Sequence, residues 1–442
     1  MILVLFGRAF LFLKHVLYNC NKDGVIYMLH FKDHTVGQLL MDGLFELERD
    51  GLRVSQDGYM SHEHIDIPHG SCTFCNNQFE LKSGVFDSVQ KARDQLYEYT
   101  RLVQKVLKEK DELLWPFSNP AYIKDSHDVI LNGAYNHEEY LAMRYGRYKM
   151  ALCGVRLHFS FGEKLLRADF ACSNSNNFED YKSRLYVHLA KQLSLHGWLL
   201  TALTAASPLC DRSFFQKGVL DGAVFSGMSS IRCSELGLWN YFTPRFDYLN
   251  LDHYVQSIEN YVEKDLLQFP DELYFPVRLM PKGEHSFMAL KENGVDNIEL
   301  RIFDLNPYCA EGIDVRDVEF AHLYMVWLAC IPSFYISHSD SIQLVQNFKN
   351  AAHYDLKTVF IRSSNQEMIT MLECAVRLIE EVELFYQDAE EHILDVIRFE
   401  KEKCLDVKNR YAYQVLRDFS HNYVKKGLSL AKDNQNKILE VR

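Results

Sequence analysis

The 442-residue sequence lacks the short motifs of the common nucleotide-binding and hydrolase folds. It contains no P-loop sequence, and no glycine-rich dinucleotide fingerprint follows a strand-like segment. The segments around Cys153 and Ser226 lack the flanking pattern of a nucleophile elbow. The His-Glu-His at His62 to His64 is not a zinc-protease motif, because that motif needs histidines one helical turn apart. The usual nucleotide folds and covalent hydrolase chemistry are therefore disfavoured.

Runs of basic residues are also lacking. The chain carries 48 Lys and Arg against 60 Asp and Glu, a formal net charge of −12. A nucleic-acid surface needs clustered positive side chains along the phosphate backbone. We therefore expect no nucleic-acid partner, and small molecules or proteins instead.

Prolines are few and scattered, and neither internal repeats nor low-complexity tracts divide the chain. This pattern predicts one catalytic domain over residues 28–442. Residues 1–27 are apolar but are interrupted by Arg8 and Lys14, so they fit neither a membrane span nor a signal peptide. We interpret them as a doubtful extension before a start at Met28, and we expect no membrane association.

The eleven cysteines show no disulfide spacing, which predicts a reducing, cytoplasmic compartment. One close pair, Cys72 and Cys75, follows His62, His64 and His69, so zinc or redox chemistry has to be considered. A zinc site usually needs a second ligand pair at matched spacing, and none follows. Most of these thiols are expected to be buried and inert.

Apolar residues recur at helical spacing in three segments, at residues 87–112, Tyr181–Leu203 and Met371–Val382. Four other segments alternate between apolar and polar residues, as strands of a half-buried sheet do: Phe45–Asp50, Gln78–Leu81, Val155–Ser160 and Asn297–Phe303. The strands do not alternate regularly with helices. The sequence therefore predicts an α+β domain with a largely antiparallel sheet flanked by helices.

The alternation places acids on one face of several strands. Glu46, Glu48 and Asp50 share a face in the first segment, and Glu299 and Arg301 share one in the last. If these faces converge, the carboxylates repel one another unless cations neutralise them, and Mg²⁺ is a suitable partner that often bridges carboxylates to nucleotide phosphates. Any single such strand is more simply explained by a solvated polar face; the recurrence favours a phosphoryl-transfer site.

Eight blocks in a fixed order give the chain a specific likeness to a known family. The match runs from about Leu39 to the C-terminal helices, and the blocks read FELERDGLRVSQDG, CNNQFELKSGVF, LLWPFSNPAYI, MRYGRYKMALCGVRLHFSF, GWLLTALTAASP, SSIRCSELG, DELYFPVR and NIELRIFDLNP. On these blocks the chain resembles glutamate–cysteine ligase, in its bacterial form and as the ligase half of bifunctional glutathione synthetases. The resemblance implies a glutamine-synthetase-like catalytic fold with a funnel-like active site.

The resemblance also implies a reaction and its substrates. In this family, the γ-carboxylate of glutamate attacks the terminal phosphate of ATP, and the amine of cysteine then captures the acyl phosphate. The expected ligands are ATP, L-glutamate, L-cysteine or another amine, and Mg²⁺. Metal ions and arginines must neutralise a carboxylate held beside a triphosphate. The chain ends where a bifunctional enzyme would add its second ligase domain, so only the first step of glutathione biosynthesis is expected.

Residue roles are carried over from matched positions. Arg301 matches a residue that contacts the transferred phosphate, Arg232 one that holds glutamate, and Tyr274 a tyrosine of the amine pocket. The metal-binding acids of the family match Glu48, Asp50, Glu80 and Glu299.

Several positions depart from the family pattern. Arg156 stands where a metal-binding histidine is usual, and an arginine cannot bind a metal because it stays protonated. As a candidate catalytic residue, its charge could replace one cation, or His158 on the same face could partly substitute. Thr73 replaces an aspartate. In the amine pocket, His137 and Leu238 replace tyrosines, which leaves the identity of the amine open.

These departures leave three hypotheses: a glutamate–cysteine ligase with altered metal use, a γ-glutamyl ligase for another amine, or a binding protein without catalysis. Clustered, mutually repelling acids favour an enzyme. A structural ion pair of Arg156 with one of these acids would instead be typical of an inactive site. Partner docking through the C-terminal amphipathic helices is a fourth hypothesis, but Glu380, Glu381 and Glu383 fall where an ordinary solvated helix face would.

Overall fold

A computed structural model describes residues 28–131, 136–283, 286–332, 336, 338–362 and 367–440, without the side chains of residues 136, 137, 338 and 339. The predicted extension at 1–27 lies outside the described residues. Within them, no helix is both long and apolar enough to cross a membrane.

Eleven strands occur in the described part of the chain. They are β1 (Gly43–Ser55), β2 (Gly70–Cys72), β3 (Gln78–Lys82), β4 (Glu112–Trp115), β5 (Gly154–Phe161), β6 (Leu209–Asp211), β7 (Ala223–Phe225), β8 (Val277–Pro281), β9 (Val295–Asp304), β10 (Phe360–Arg362) and β11 (Met368–Thr370).

The described α-helices are α1 (His34–Leu39), α2 (Val89–Glu109), α3 (Asn136–Leu141), α4 (Glu163–Cys172), α5 (Phe178–His196), α6 (Trp198–Thr204), α7 (Leu251–Glu263), α8 (Phe287–Asn293), α9 (Val315–Cys330), α10 (His338–Ala351), α11 (Met371–Phe385), α12 (Glu391–Leu405), α13 (Tyr411–Phe419) and α14 (Tyr423–Glu440). A π-helical turn at Ala142–Gly146 and short 3₁₀ turns complete the list.

The principal sheet has seven strands in the order β2-β3-β1-β5-β9-β8, and β4 pairs with the far end of β1. Every pairing in it is antiparallel. All four predicted strand segments lie in this sheet, as parts of β1, β3, β5 and β9. The predicted α+β class with a largely antiparallel sheet is confirmed.

One face of the sheet is apolar and packs against helices. Leu47 of β1, Leu157 of β5 and Leu300 of β9 are fully buried, and α2, α5 and α6 pack on the sheet. A main-chain amide of β5, at Phe161, donates to the hydroxyl of Tyr186 in α5 at 2.9 Å. Because side chains alternate along a strand, the residues on either side of each leucine point to the opposite face of the sheet, where the polar residues lie.

The predicted helical segment Tyr181–Leu203 is two helices, with the break at Gly197. A Cβ atom at Gly197 would lie 2.5 Å from the carbonyl oxygen of Leu193, so a larger residue would force the backbone apart here. The segment is also not packed on one side only: all seven residues of α6 are buried. The prediction of an amphipathic helix is wrong for this second half, because α6 lies inside the core.

The other two predicted helices are confirmed as α2 and α11. The acids of α11 fit the expected solvated face in part. The side chains of Glu380 and Glu383 are 54% and 39% exposed, and both pair with Lys401 of α12, at 3.6 and 2.7 Å. Glu381 differs, because burial raises its pKa to about 7.

A single large apolar core extends from Leu29 to Ala431, with a smaller separate cluster around Tyr145. The assignment of residues 28–442 to one catalytic domain stays a prediction.

Candidate active site

The polar face of the sheet brings charged residues from three strands into register. Glu48 of β1 pairs with Arg156 of β5, and His158 of β5 pairs with Glu299 of β9. Side chains directly opposite on neighbouring strands have Cβ atoms about 4.5–5.5 Å apart. These four residues, although distant in the sequence, therefore form one continuous patch.

Arg156 lies among three of the four predicted metal-binding acids. Its guanidinium pairs with Glu48, and its Nη2 donates to Asp50 Oδ1 at 2.9 Å and to Glu80 Oε2 at 2.8 Å. Burial lowers the pKa of Arg156 to about 9, so the group is still a cation at neutral pH. A fixed positive charge thus fills the space between these carboxylates.

The sheet is irregular at this point. Val155 pairs with Phe303 of β9, but Leu157 pairs with Leu300, so β9 carries one extra residue in the interval opposite Arg156. Such a bulge bends the strand and redirects side chains, and bulges are frequent next to active sites.

Glu299 and Arg301 lie together on the same face of β9. Arg301 Nε donates to Glu299 Oε1 at 2.8 Å, and Arg278 of β8 is in register with Glu299. Burial by itself would raise the pKa of Glu299, but Arg301 and the other nearby cations hold it well below its usual range. Glu299 is therefore a buried, ionised carboxylate.

His158 is 6% exposed, and its two ring nitrogens have different surroundings. Nδ1 lies 3.3 Å from the amide oxygen of Asn297, which accepts hydrogen bonds, so Nδ1 carries the proton. Burial lowers the pKa of His158, which favours the neutral ring. Nε2 has no hydrogen-bond partner and lies 3.5 Å from Glu48 Oε2.

Glu48, His158 and Glu299 each offer one atom to a set whose members all lie within 4.8 Å of one another. All three residues are buried, and neither His158 Nε2 nor Glu299 Oε2 has a hydrogen-bond partner. Buried polar atoms without partners are costly unless something else satisfies them. Two carboxylates and one imidazole are donors that divalent cations accept, so these residues fit a metal ion.

Asp50 and Glu80 are less strongly acidic than usual. Burial raises the pKa of Asp50 to about 6, and burial together with the Asp50 charge raises the pKa of Glu80 to about 7. Their direct contacts with Arg156 favour the ionised forms. The charge of these two acids therefore depends on the cation between them.

A cavity of about 270 Å³ opens over this face of the sheet. Its charged lining is balanced, with four acids and four basic residues: Glu48, Glu80, Asp271, Glu299, Lys82, Arg156, Arg278 and Arg301. Apolar side chains also line it: Tyr254, Ile258, Leu273, Leu279, Phe287 and Leu290. The cavity thus combines charged groups that suit the ionic part of a ligand with apolar surface that suits its uncharged part.

Arg232, the predicted glutamate-binding residue, lies near Asp50 but is not among the described residues that line the cavity. Its guanidinium donates to the carbonyl oxygens of Arg301 and Phe303 at 3.2 and 3.3 Å. A Cβ atom at residue 154 would lie 2.4 Å from Arg232 Cζ, so Gly154 leaves the space that Arg232 occupies. The charge of Arg232 offsets part of the rise that burial causes in the pKa of nearby Asp50.

Tyr274 and Leu238 both pack against the small apolar cluster outside the main core. The Tyr274 ring stands edge-on to Tyr145, with centroids 5.1 Å apart. Tyr145 in turn donates to the fully buried Glu272 at 2.5 Å, and Arg144 pairs with the same carboxylate at 3.1 Å. The two predicted amine-pocket residues thus pack against one cluster, whose Tyr145 is anchored by a buried carboxylate.

The remaining departures from the family pattern, at His137 and Thr73, provide less structural information. The side chain of His137 lies outside the described residues. Thr73 donates its hydroxyl to Oε1 of Gln78, the first residue of β3, at 3.0 Å.

Sequence reasoning missed two cations of the cavity, Arg278 and Lys82. Arg278 lies between the apolar Val277 and Leu279 on β8, and Lys82 lies two residues after Glu80 on β3. The same alternation that placed the acids would have identified both. Among the described residues, the candidate metal-binding group consists of Glu48, His158 and Glu299, and it includes neither Cys72 nor Cys75.

Comparison with protein families gives matches over most of the described chain. Residues 28–269 and 242–351 match the family described as glutamate–cysteine ligase. The bifunctional glutathione biosynthesis protein of Listeria monocytogenes is 29% identical over 417 residues, which cover 87% of this chain and 53% of the relative. That of Streptococcus agalactiae is 30% identical over 317 residues, covering 68% of this chain and 40% of the relative. The chain spans about half the length of the curated relatives it matches.

Two solved structures share the fold. Glutamate–cysteine ligase of Francisella tularensis, in complex with AMP, superposes with a TM-score of 0.80 at 21% identity, covering 91% of this chain and 90% of that one. The bifunctional glutathione synthetase of Pasteurella multocida gives 0.78 at 21% identity, covering 93% and 54%. At these identities the likeness concerns the fold.

Proposed function

The chain belongs to the glutamate–cysteine ligase family, an enzyme family of carboxylate–amine ligases, and we propose that it forms γ-glutamylcysteine from glutamate and cysteine with ATP. The γ-carboxylate of glutamate takes the terminal phosphoryl group of ATP, which leaves ADP and γ-glutamyl phosphate. The cysteine amine then attacks the acyl carbon, phosphate leaves, and an amide bond is formed. This is the first step of glutathione biosynthesis.

The observation that carries the proposal is the convergence of Glu48, Glu80, Glu299, Arg278 and Arg301 on one cavity. Phosphoryl transfer between two anionic substrates depends on cations fixed in advance around the place where charge develops. These residues come from four strands, β1, β3, β8 and β9. Charged side chains that only faced water would not need to converge on one cavity.

The roles of single residues follow from their positions. Arg301 is held by Glu299 at 2.8 Å, so its remaining guanidinium donors have a fixed direction for the transferred phosphoryl group. Glu48 and Glu299 would hold the divalent cation, Mg²⁺ in the proposed reaction, which supplies charge neutralisation of the phosphates. Arg232, whose positive charge favours the ionised form of Asp50, is proposed to hold the glutamate.

A different amine is the second candidate for the acceptor. It is favoured by Leu238, which packs in the apolar cluster with Tyr274 where the family pattern has a tyrosine. Without that hydroxyl, the pocket has one polar group fewer to distinguish a small polar amine from an apolar one. The reaction type is the same for both acceptors.

Loss of catalysis is the third candidate, and its basis is the ion pairing of Arg156 with Glu48, Asp50 and Glu80. A buried cation can stabilise a site that no longer binds a metal. We place it after the enzyme hypotheses because Glu299 and His158 keep buried atoms without hydrogen-bond partners, which a purely structural network would be expected to satisfy.

The proposal includes a cytoplasmic location, and the cysteines support it. The ten cysteines of the described residues are all free thiols, five of them buried. Thiols persist in reducing compartments, where disulfides are rare.

The first experiment measures ADP formation by purified protein with ATP, Mg²⁺ and L-glutamate, with cysteine or one of a panel of other amines. We expect turnover only when all components are present, and mass spectrometry identifies the γ-glutamyl product. Glutamate labelled with ¹⁸O in the γ-carboxylate should transfer one label to inorganic phosphate, since the acyl phosphate passes its carboxylate oxygen to the leaving group. Turnover without label transfer contradicts the acyl-phosphate route, and no turnover with any amine supports the inactive alternative.

A further inference from the structure

His158 is a buried histidine of the cavity to which the proposed reaction assigns no role. It lies two residues after Arg156 on β5, so both side chains point into the same site. Its Nδ1 donates to Asn297, and this hydrogen bond leaves the lone pair of Nε2 directed at the carboxylates of Glu48 and Glu299. A histidine oriented through one nitrogen, with the other free and facing acids, has the arrangement typical of a metal ligand.

The distances agree with a shared ion. Donor atoms bound at about 2.1 Å to one cation lie about 3–3.5 Å apart. His158 Nε2 and Glu48 Oε2 are 3.5 Å apart, and the three-residue set is within 4.8 Å, so a small side-chain rotation closes it. Glu299 Oε2 is available because Arg301 uses only Oε1.

Arg156 restricts how many ions the site can take. It occupies the space between Glu48, Asp50 and Glu80, so Asp50, Glu80 and Oε1 of Glu48 already have a cation, whereas Oε2 of Glu48 faces His158. The lining of the cavity is also balanced at four acids to four bases, which leaves little negative charge to attract several divalent ions. The remaining open position is the one that faces His158.

We propose that His158 Nε2, with one carboxylate oxygen each from Glu48 and Glu299, binds a single divalent cation per chain, while Arg156 serves as a permanent second cation. The inference deepens the proposed function, because this cation would sit in the ligase site, but the binding itself needs neither nucleotide nor turnover. An imidazole ligand favours a transition metal over Mg²⁺, so Mn²⁺ binds more tightly than Mg²⁺.

The test titrates Mn²⁺ into the purified full chain without nucleotide and follows free Mn²⁺ by electron paramagnetic resonance. We expect a single site per chain, and a weakening of at least about tenfold in His158→Asn. Asn297→Ala removes only the orienting hydrogen bond and should weaken binding less. His253→Asn, at an exposed histidine that pairs with Asp247, is the matched control and should bind as the wild type does.

A direct readout keeps the test independent of folding defects. Electron spin echo envelope modulation of bound Mn²⁺ in the wild type should show a directly coordinated ¹⁴N, which Glu48 and Glu299 cannot supply. Bound Mn²⁺ without nitrogen coupling, or an unchanged affinity in a folded His158→Asn protein, overturns the inference. Ligase activity with no nitrogen-coupled Mn²⁺ would leave the proposed function standing, whereas coupled Mn²⁺ without turnover would leave only the metal site.

Discussion

Replacing Arg156 with methionine tests whether its guanidinium acts as a built-in cation. The substitution Arg156→Met keeps an unbranched, flexible side chain and removes the guanidinium with its charge, which leaves Glu48, Asp50 and Glu80 facing one another. Opposite charges about 3 Å apart attract by about 5 kcal/mol at an effective dielectric constant near 20, and desolvation offsets much of this. Removing one partner of a buried ion pair costs about 3–5 kcal/mol, and we expect a loss of this size in EDTA.

Divalent cations should reverse much of that loss. A cation that enters the vacated position stabilises the variant by about 2.7 kcal/mol at a concentration one hundred times its dissociation constant. The assay is urea or thermal unfolding of wild type and variant, each with EDTA and with Mg²⁺ or Mn²⁺. The cation-induced gain should be larger in the variant, because the wild type already has a cation there.

The control is Arg377→Met on the outer face of α11, where Arg377 pairs with Glu373 four residues earlier and both are about half exposed. Such exposed pairs contribute about 0.5 kcal/mol or less, so this variant should unfold almost as the wild type does in both buffers. The reasoning is refuted if Arg156→Met is as stable as the wild type in EDTA, or if both proteins gain equally from added cations.

Four further predictions concern single residues. Glu299→Gln should reduce kcat by at least about a hundredfold without changing the circular dichroism spectrum, because it removes a metal-facing charge and the partner of Arg301; near-wild-type turnover would place the chemistry elsewhere. Arg156→His should shift the Mg²⁺ titration of activity more than the KM for glutamate, and an unchanged titration would place Arg156 outside the cation site. Leu238→Tyr should change the relative kcat/KM for cysteine and apolar amines, and an unchanged amine ranking would show that Leu238 does not contact the acceptor. For Glu381, the folded-state pKa of about 7 exceeds the ordinary value of 4.5, so the folded state holds the proton more tightly than the unfolded chain does. The stability that this group contributes is therefore full below about pH 4.5 and is lost as the pH rises through 7. Glu381→Gln should increase the free energy of unfolding at pH 8, by up to about 3 kcal/mol, and not at pH 4, and equal changes at both pH values would contradict the assignment.

The local pattern was sufficient to identify the strands of the site and the direction of their side chains. Glu46, Glu48 and Asp50 alternate with buried residues, because a strand has a strict two-residue period. In the structure Glu48 lines the cavity, and Asp50 pairs with Arg156 on the same face. Arg278 and Lys82 obey the same rule. They were missed because Lys82 lies one residue beyond the predicted strand Gln78–Leu81, and the segment around Arg278 was not predicted to be a strand.

Register was beyond the reach of local patterns. Nothing in the sequence of β5 shows that Arg156 lies opposite a bulge in β9, or that one guanidinium contacts three carboxylates, because these facts depend on how strands distant in the chain are paired. The break at Gly197 was missed for a related reason: helical periodicity continues through it, and only the close approach of the Leu193 carbonyl reveals the need for glycine.

The placement of Glu48 on β1 and Glu299 on β9, with β5 between them, ties the site to the completion of the sheet. Because these strands come from the beginning, middle and later part of the chain, a proteolytic fragment that lacks any one of them cannot assemble the cavity. Long-range strand pairing is slow compared with helix formation, so the ability to bind a cation should develop late during refolding. Metal binding can therefore report when the whole sheet has formed, while helical content reports only its earlier parts.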